Sequence, residues 1–168
     1  MKLDIKERFI IANQLKILEK LYPEEQETYE SNRKAIEYGF ELHYDWIMEH
    51  IYEGLTSEQC NFVLNVLDMY ASILHSFNKL KSDKINEEDV IFRGFDGNNE
   101  TMYMAYARYF LEDLDRYREI QESSKNYYNS HSRMVSKYKS MLKKFNNYKQ
   151  PYTYDLTEEH LLDLINTY

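Results

Sequence analysis

SEQCNFVLNVLDMYASILHSFNKL, residues 57–80, carries two apolar seams at once. Cys60, Val63, Leu67, Tyr70, Leu74 and Phe77 recur three and four apart, which is the spacing of one helical face. Phe62, Val66, Met69, Ile73 and Leu80 run beside them, leaving Asn61, Asn65, Asp68, Ser72, His75 and Lys79 as a narrow polar stripe. A helix so nearly apolar all round belongs in the centre of a bundle or in a subunit interface. Thr56 followed by Gln59 forms a capping box that fixes where it starts.

Outward from this helix the same period continues in both directions. Asp4 and Glu7 form a second capping-box start, and Ile11, Leu15, Leu18 and Tyr22 predict a helix over residues 5–21 that Pro23 ends. Pro23 with Glu24 and Glu25 opens the next helix, whose dipole favours early acids, and Tyr29, Ile36 and Phe40 mark its buried side. Residues 24–53 read as one helix kinked at Gly39 or as two in series, with Gly54 as the C-cap. After the central helix, residues 81–89 form a polar connection, and Val90, Ile91 and Phe92 an apolar run too short to found a sheet. Gly94-Phe95-Asp96-Gly97 reads as a turn, with Asn98 or Asn99 capping a helix that carries Tyr103, Tyr106, Phe110, Leu114 and Tyr117. Its outer face holds Arg108, Glu112, Arg116 and Glu119 as an ion-pair ladder. Residues 123–132 are polar and irregular. Tyr138, Met141 or Leu142, Phe145 and Tyr148 then mark a helix that Pro151 stops, and a short helix starts at Thr157.

Composition agrees with long helices. Four glycines and two prolines in 168 residues leave few tight turns, which argues against sandwiches, barrels and Gly-rich nucleotide loops. Apolar residues make up 43% and charged residues 30%, the profile of a globular chain. One cysteine excludes an intramolecular disulfide, and charges interrupt residues 1–15, so no secretory leader is expected. The longest apolar run, residues 102–107, falls far below the roughly 18 that a membrane span needs. A cytoplasmic protein with no membrane span is the expectation. Seventeen tyrosines, eight phenylalanines and Trp46 exceed what the core of such a bundle requires, and point to self-association or an oversized aromatic core.

The net charge of −8 disfavours non-specific binding to nucleic acid or anionic lipid. The sign is not uniform. Residues 121–150 hold seven basic side chains and only Glu122 as an acid, whereas residues 1–60 hold seven basic and thirteen acidic ones. Arg133, Lys137 and Lys144 fall together on a face read as opposite Tyr138, Phe145 and Tyr148, with Lys139 and Lys143 nearby. This segment suits a nucleic-acid backbone, an acidic partner, or the acidic N-terminal half of the chain, with protein contact weighted above nucleic acid.

Motifs for chemistry are scarce. No Glu-x-x-His pair, His-Glu-x-x-His, paired cysteine ligands, EF-hand loop, Gly-x-Ser-x-Gly elbow or P-loop occurs. His43, Glu49, His50 and Glu53 on one helical stretch form the best metal candidate, against solvated or interfacial histidines. Cys60 near a helix N-terminus reads as a small hydrophobe rather than a reactive thiol. The Gly94 to Gly97 turn matches the Gly-x-x-Gly of RNA clamps only superficially, since Asp96 within it repels phosphate.

Several stretches together resemble the YfbU-like proteins of bacteria: Arg8-Phe-Ile-Ile-Ala-Asn-Gln14 with Lys16; Ile36-Glu37 with Gly39-Phe40; Cys60 with Leu64, Met69 and Tyr70; Gly94-Phe95-Asp96 followed by Glu100, Tyr103, Tyr106 and Arg108; Lys137-Tyr138 with Met141-Leu142; and Ile165-Asn166. They occur in the same order along nearly the whole chain. The resemblance implies one all-helical domain over residues 1–168 in a bacterial cytoplasm, and brings no activity, substrate or catalytic residue with it.

The resulting expectation is an all-α protein, a single multihelical domain of about six helices around the central two-faced helix at 57–80. It is non-enzymatic, needs no cofactor or metal, homo-oligomerises, and acts through protein contacts. Two other readings are a nucleic-acid-binding regulator using Arg133, Lys137, Lys139, Lys143 and Lys144, and an enzyme whose site assembles from scattered residues such as His43, His50 and Asp68. The Gly94, Phe95 and Asp96 turn is read as structural.

Overall fold

The computed structural model describes residues 1–124, 127–148, 153 and 155–167. These residues are helical with no extended strand, and the chain forms two compact units, Met1–Glu53 and Gly54–Tyr168. Nine α-helices stand among the described residues where about six were expected.

In the first unit α1 (Ile5–Leu21) begins as its sequence dictates, with the Asp4 carboxylate accepting from the Lys6 and Glu7 amides and the Glu7 carboxylate accepting from the Asp4 amide. A 3₁₀ turn, Pro23–Glu25, leads into α2 (Gln26–Tyr38). Gly39 then adopts φ +75°, its amide donating to Ile36 O and that of Phe40 to Ala35 O. This left-handed close ends α2 and resolves residues 24–53 into two helices, since the next, α3, spans Glu41–Ile47. Gly54 is not a helix cap: α3 stops seven residues earlier, and Gly54 sits in the following connection at φ +74° with no atom within 4 Å of where a Cβ would stand. The unit's core is small, built on Ala12, Leu15, Ile36 and Tyr44. Beside it Glu19, only 7% exposed, accepts from Arg33 Nε at 2.5 Å, and Arg33 also holds Glu37.

The second unit is organised by α4 (Ser57–Leu80), which starts at the Thr56–Gln59 capping box. It packs against each of the five helices that follow, α5 (Glu87–Val90), α6 (Thr101–Arg108), α7 (Arg118–Ser123), α8 (Val135–Tyr148) and α9 (Glu158–Ile165). Both expected seams are buried along their middles, at Val63, Leu67, Tyr70 and Leu74 on one and Val66, Met69 and Ile73 on the other. Even Ser72 of the polar stripe is buried, its hydroxyl turned back onto Asp68 O at 3.1 Å.

Two differences from expectation have identifiable causes. The one-turn helix α5 occupies the polar connection, and Val90 belongs to it rather than to an extended run. The helix expected through Tyr117 breaks. A π turn, Tyr109–Asp113, follows α6, with Leu114 N bonding Tyr109 O, and Asp115 and Tyr117 take positive φ. The break is held by tertiary bonds that no local period encodes: Gln121 Nε2 donates to Leu111 O and Arg116 O, and the Tyr117 hydroxyl donates to Asp68. Of the ion-pair ladder, Arg108–Glu112 forms at 2.6 Å, while the second pair present is Arg118–Asp115. Pro151 lies outside the described residues. α9 starts at Thr157 as read, through a capping box with His160 that the reading did not include.

Candidate functional site

The turn at residues 94–97 is the joint on which the second unit closes. Phe95 is fully buried and its backbone bridges residues 128–130, the amide donating to Tyr128 O at 2.9 Å and the carbonyl accepting from Ser130 N at 3.1 Å. Gly94 takes φ +81°, and a Cβ there would stand 1.7 Å from Tyr128 O, so the two backbones touch where only glycine fits. Asp96 accepts from Asn98 N and Asn99 Nδ2, and these bonds hold its carboxyl below the ordinary range. Neither asparagine is the helix cap, because α6 starts at Thr101 with Glu100 before it.

Glu100 has another task. Its buried carboxylate accepts from Met134 N at 2.9 and 3.0 Å, from Val135 N at 2.9 Å and from Asp96 N at 3.2 Å. It therefore caps α8 across 34 residues, placing a negative charge at the positive end of that helix. One turn into α8 the buried Tyr138 hydroxyl donates to Gly94 O at 2.9 Å. Nothing in the local sequence of α8 signals this cap. The amides of residues 95–98 are already taken, Phe95 N by Tyr128 O, Asp96 N by Glu100, Gly97 N by Asn129 Oδ1 and Asn98 N by Asp96 Oδ1, which leaves no phosphate cradle.

The basic side chains of α8 and its lead-in do not form one surface. Lys137 and Lys144 share a face, but Lys139 and Lys143 project from another. Lys144 Nζ is committed to Asp163, at 2.8 Å to Oδ1 and 3.1 Å to the carbonyl. Tyr148 OH donates to Asp163 Oδ2 at 2.6 Å, and its ring stacks on His160 at 4.1 Å. Lys144 and Tyr148 are thus neighbours one turn apart, which corrects the assignment of Tyr148 to the opposite face. Arg133 Nη2 donates to Asn99 Oδ1 at 2.9 Å, and Lys139 Nζ lies 6.0 Å from the Phe62 ring centre. Part of the positive segment thus binds the acidic C-terminal segment that follows it; Lys79–Asp155 and Lys84–Glu158 tie the same segment to α4 and the loop after it.

Among the described residues Lys139 and Lys143 make no side-chain hydrogen bond or ion pair, and the same holds for Lys137 and Arg93. The latter two line a cleft of about 140 Å³ with Tyr70, Asp89 and a wall of Ile91, Met134, Met141 and Ile165. Arg93 also lines a neighbouring cleft of about 290 Å³ with Glu88, Phe92, Tyr128, Asn129 and Ser130. Arg93 was not among the sequence candidates, although it is the only cation between Lys84 and Arg108.

The histidine candidates separate. His50 lies beyond the end of α3 and is exposed beside Glu49 at 3.3 Å, so His43 and His50 share no helix. His43 stacks edge-on against Trp46 at 4.8 Å. Asp68 is engaged by Tyr117 in the second unit. No group of three potential metal ligands occurs among the described residues. Cys60 is half-buried, its thiol 4.0 Å from Leu55 O.

In the first unit, large apolar side chains crowd the surface. Ile5, Phe9, Ile10, Ile17 and Leu21 of α1 are exposed, as are Tyr38, Phe40, Leu42, Trp46, Ile51 and Tyr52. At 100° per residue Ile10, Ile17 and Leu21 fall within roughly 40° of one another, on the side opposite Ala12 and Leu15. With Gln14 they space as 4, 3, 4, a second seam parallel to the buried one.

No described helix is long and apolar enough to cross a membrane. Residues 1–167 match the family model described as the YfbU domain. A UPF0304 protein of Methanocaldococcus jannaschii is 36% identical over 165 residues, covering 95% of this chain and 96% of that protein. That relative is archaeal, so the resemblance does not confine such proteins to bacteria. From its first helix to its last, the chain belongs to the YfbU domain family.

Proposed function

We propose that the protein is a non-enzymatic, cytoplasmic, homo-oligomeric protein that acts through protein contacts, with the first unit as its contact surface. The observation that carries this reading is the outer seam of α1. Ile17 is 58% exposed and Leu21 64%, on a helix whose other face already has a core to fill. Contiguous apolar surface of this kind marks interaction sites in soluble proteins. A 4, 3, 4 seam suits a second copy of the same helix, which needs no partner of different chemistry and closes under two-fold symmetry. The aromatic row of Tyr38, Phe40, His43 and Trp46, with successive ring centres 5.7, 6.3 and 4.8 Å apart, adds the residue types enriched in such interfaces.

Light scattering at tens of micromolar tests the reading. A dimer or larger assembly is expected, with Ile17→Glu lowering the mass to that of a monomer while the far-ultraviolet spectrum stays helical. A parent chain that is monomeric at that concentration overturns it. Nucleic-acid binding draws less support, because Lys144 is engaged by Asp163 and the remaining cations of α8 face different ways.

A further inference from the structure

We infer that the cleft between α5, α8 and α9 is a binding site for a phosphate group, held between Arg93 and Lys137. Four observations meet there. The cleft, of about 140 Å³, is lined by Met134, Lys137 and Met141 of α8 and by Ile165 of α9, and has room for about five water-sized volumes, which accommodates a phosphate and little more. Its two cations come from separate elements, Arg93 from the chain after α5 and Lys137 from the first turn of α8, so the site is assembled by the fold rather than by a run of like charges. Among the described residues neither side chain has an ion-pair partner, although the chain carries eight more acids than bases and Lys84 and Lys144 have both found carboxylates. Arg93 is exposed and Lys137 half-buried, so both charges can be reached from solvent.

The chemistry favours a phosphate over a carboxylate. A guanidinium supplies a planar fork of donors and an ammonium a compact point charge, and together they match the charge of a doubly charged tetrahedral anion, whereas a carboxylate brings one negative charge to two positive ones. Asp89 is the single carboxylate of the cleft, and Asn86 Nδ2 donates to it at 3.1 Å. The adjoining cleft of about 290 Å³, reached across Arg93, offers Asn129, Ser130 and the Tyr128 region to whatever the phosphate is attached to. The site lies wholly in the second unit and is independent of the α1 surface.

Calorimetric titration of the full-length protein with inorganic phosphate, at fixed ionic strength set by sodium chloride, tests the assignment. Saturable binding is expected, weakened at least tenfold in Arg93→Gln and in Lys137→Gln, with Lys143→Gln matching the parent. Both glutamine variants keep the parent's thermal midpoint without phosphate, because neither side chain holds the fold together. Glycerol phosphate serves as the second probe: tighter binding than inorganic phosphate identifies a phosphorylated small molecule as the occupant, and equal binding identifies free phosphate. No saturable binding up to 10 mM phosphate, acetate binding as tightly as phosphate, or unchanged binding in the Arg93→Gln, Lys137→Gln double variant each overturns the inference.

Discussion

Replacing Glu100 with alanine tests the joint of the second unit most directly. The substitution strips three backbone amides of their acceptor, those of Met134, Val135 and Asp96, bonded at 2.9 to 3.2 Å. Met134 and Asp96 are buried, so their amides stay unpaired, while Val135, half-buried, recovers part of its loss from water. An unsatisfied buried donor costs about 1–3 kcal/mol, and two of them give a loss of about 2–6 kcal/mol for E100A. E100Q keeps the shape and one acceptor but removes the charge from the helix end, for about 1–2 kcal/mol. Urea unfolding followed by far-ultraviolet circular dichroism ranks parent, E100Q and E100A in that order, and amide exchange at Met134 and Val135 accelerates in both variants. An E100A protein within about 0.5 kcal/mol of the parent, with those amides still protected, would refute the capping argument.

Gly94→Ala and Gly54→Ala share a positive φ but not an environment. The first drives a Cβ into Tyr128 O and is expected to cost more than about 3 kcal/mol, while the second has open space and costs about 1–2 kcal/mol, both read by thermal melting. Glu19→Ala leaves the half-buried Arg33 with Glu37 alone and is expected to destabilise the first unit by about 2–3 kcal/mol, read by the fluorescence of Trp46, the sole tryptophan. Acid should loosen α9 and its lead-in. Lys79, Lys84 and Lys144 hold Asp155, Glu158 and Asp163 below the usual carboxylate range, so their contribution is fully present above about pH 4–5 and is lost as pH falls through the lowered values. Amide exchange in α9, corrected for its intrinsic pH dependence, should therefore rise below about pH 4, and unchanged protection down to pH 2 would contradict the assignment.

The legible parts of this fold are those whose signals lie within one or two helical turns. Two capping boxes, at Asp4 and Thr56, form as read because donor and acceptor are three residues apart, and the helix start read at Thr157 proves to hold a third. The two seams of α4 pack as read because its period runs unbroken for 24 residues. What stayed hidden depends on partners distant in sequence. The helix through Tyr117 had its period but not its bonds, which come from Asp68 and Gln121. The surface at Lys137 and Lys144 was visible as charge, while the engagement of Lys144 needed Asp163 of the following helix. Arg93 had no sequence pattern around it, and its place in a cleft follows only from the packing of α8 beside α5.

The long-range cap also governs the order in which structure can appear. A 14-residue helix is marginal in isolation, and α8 receives its N-terminal acceptor from a residue 34 positions upstream. During folding α8 must wait for that loop to close, and closure in turn needs Phe95 seated against residues 128–130. The second unit therefore has little scope to assemble from its C-terminal end. On the ribosome residues 94–100 emerge before α8, and a cut between Glu100 and Met134 would leave the cap as a bond between two separate pieces of chain.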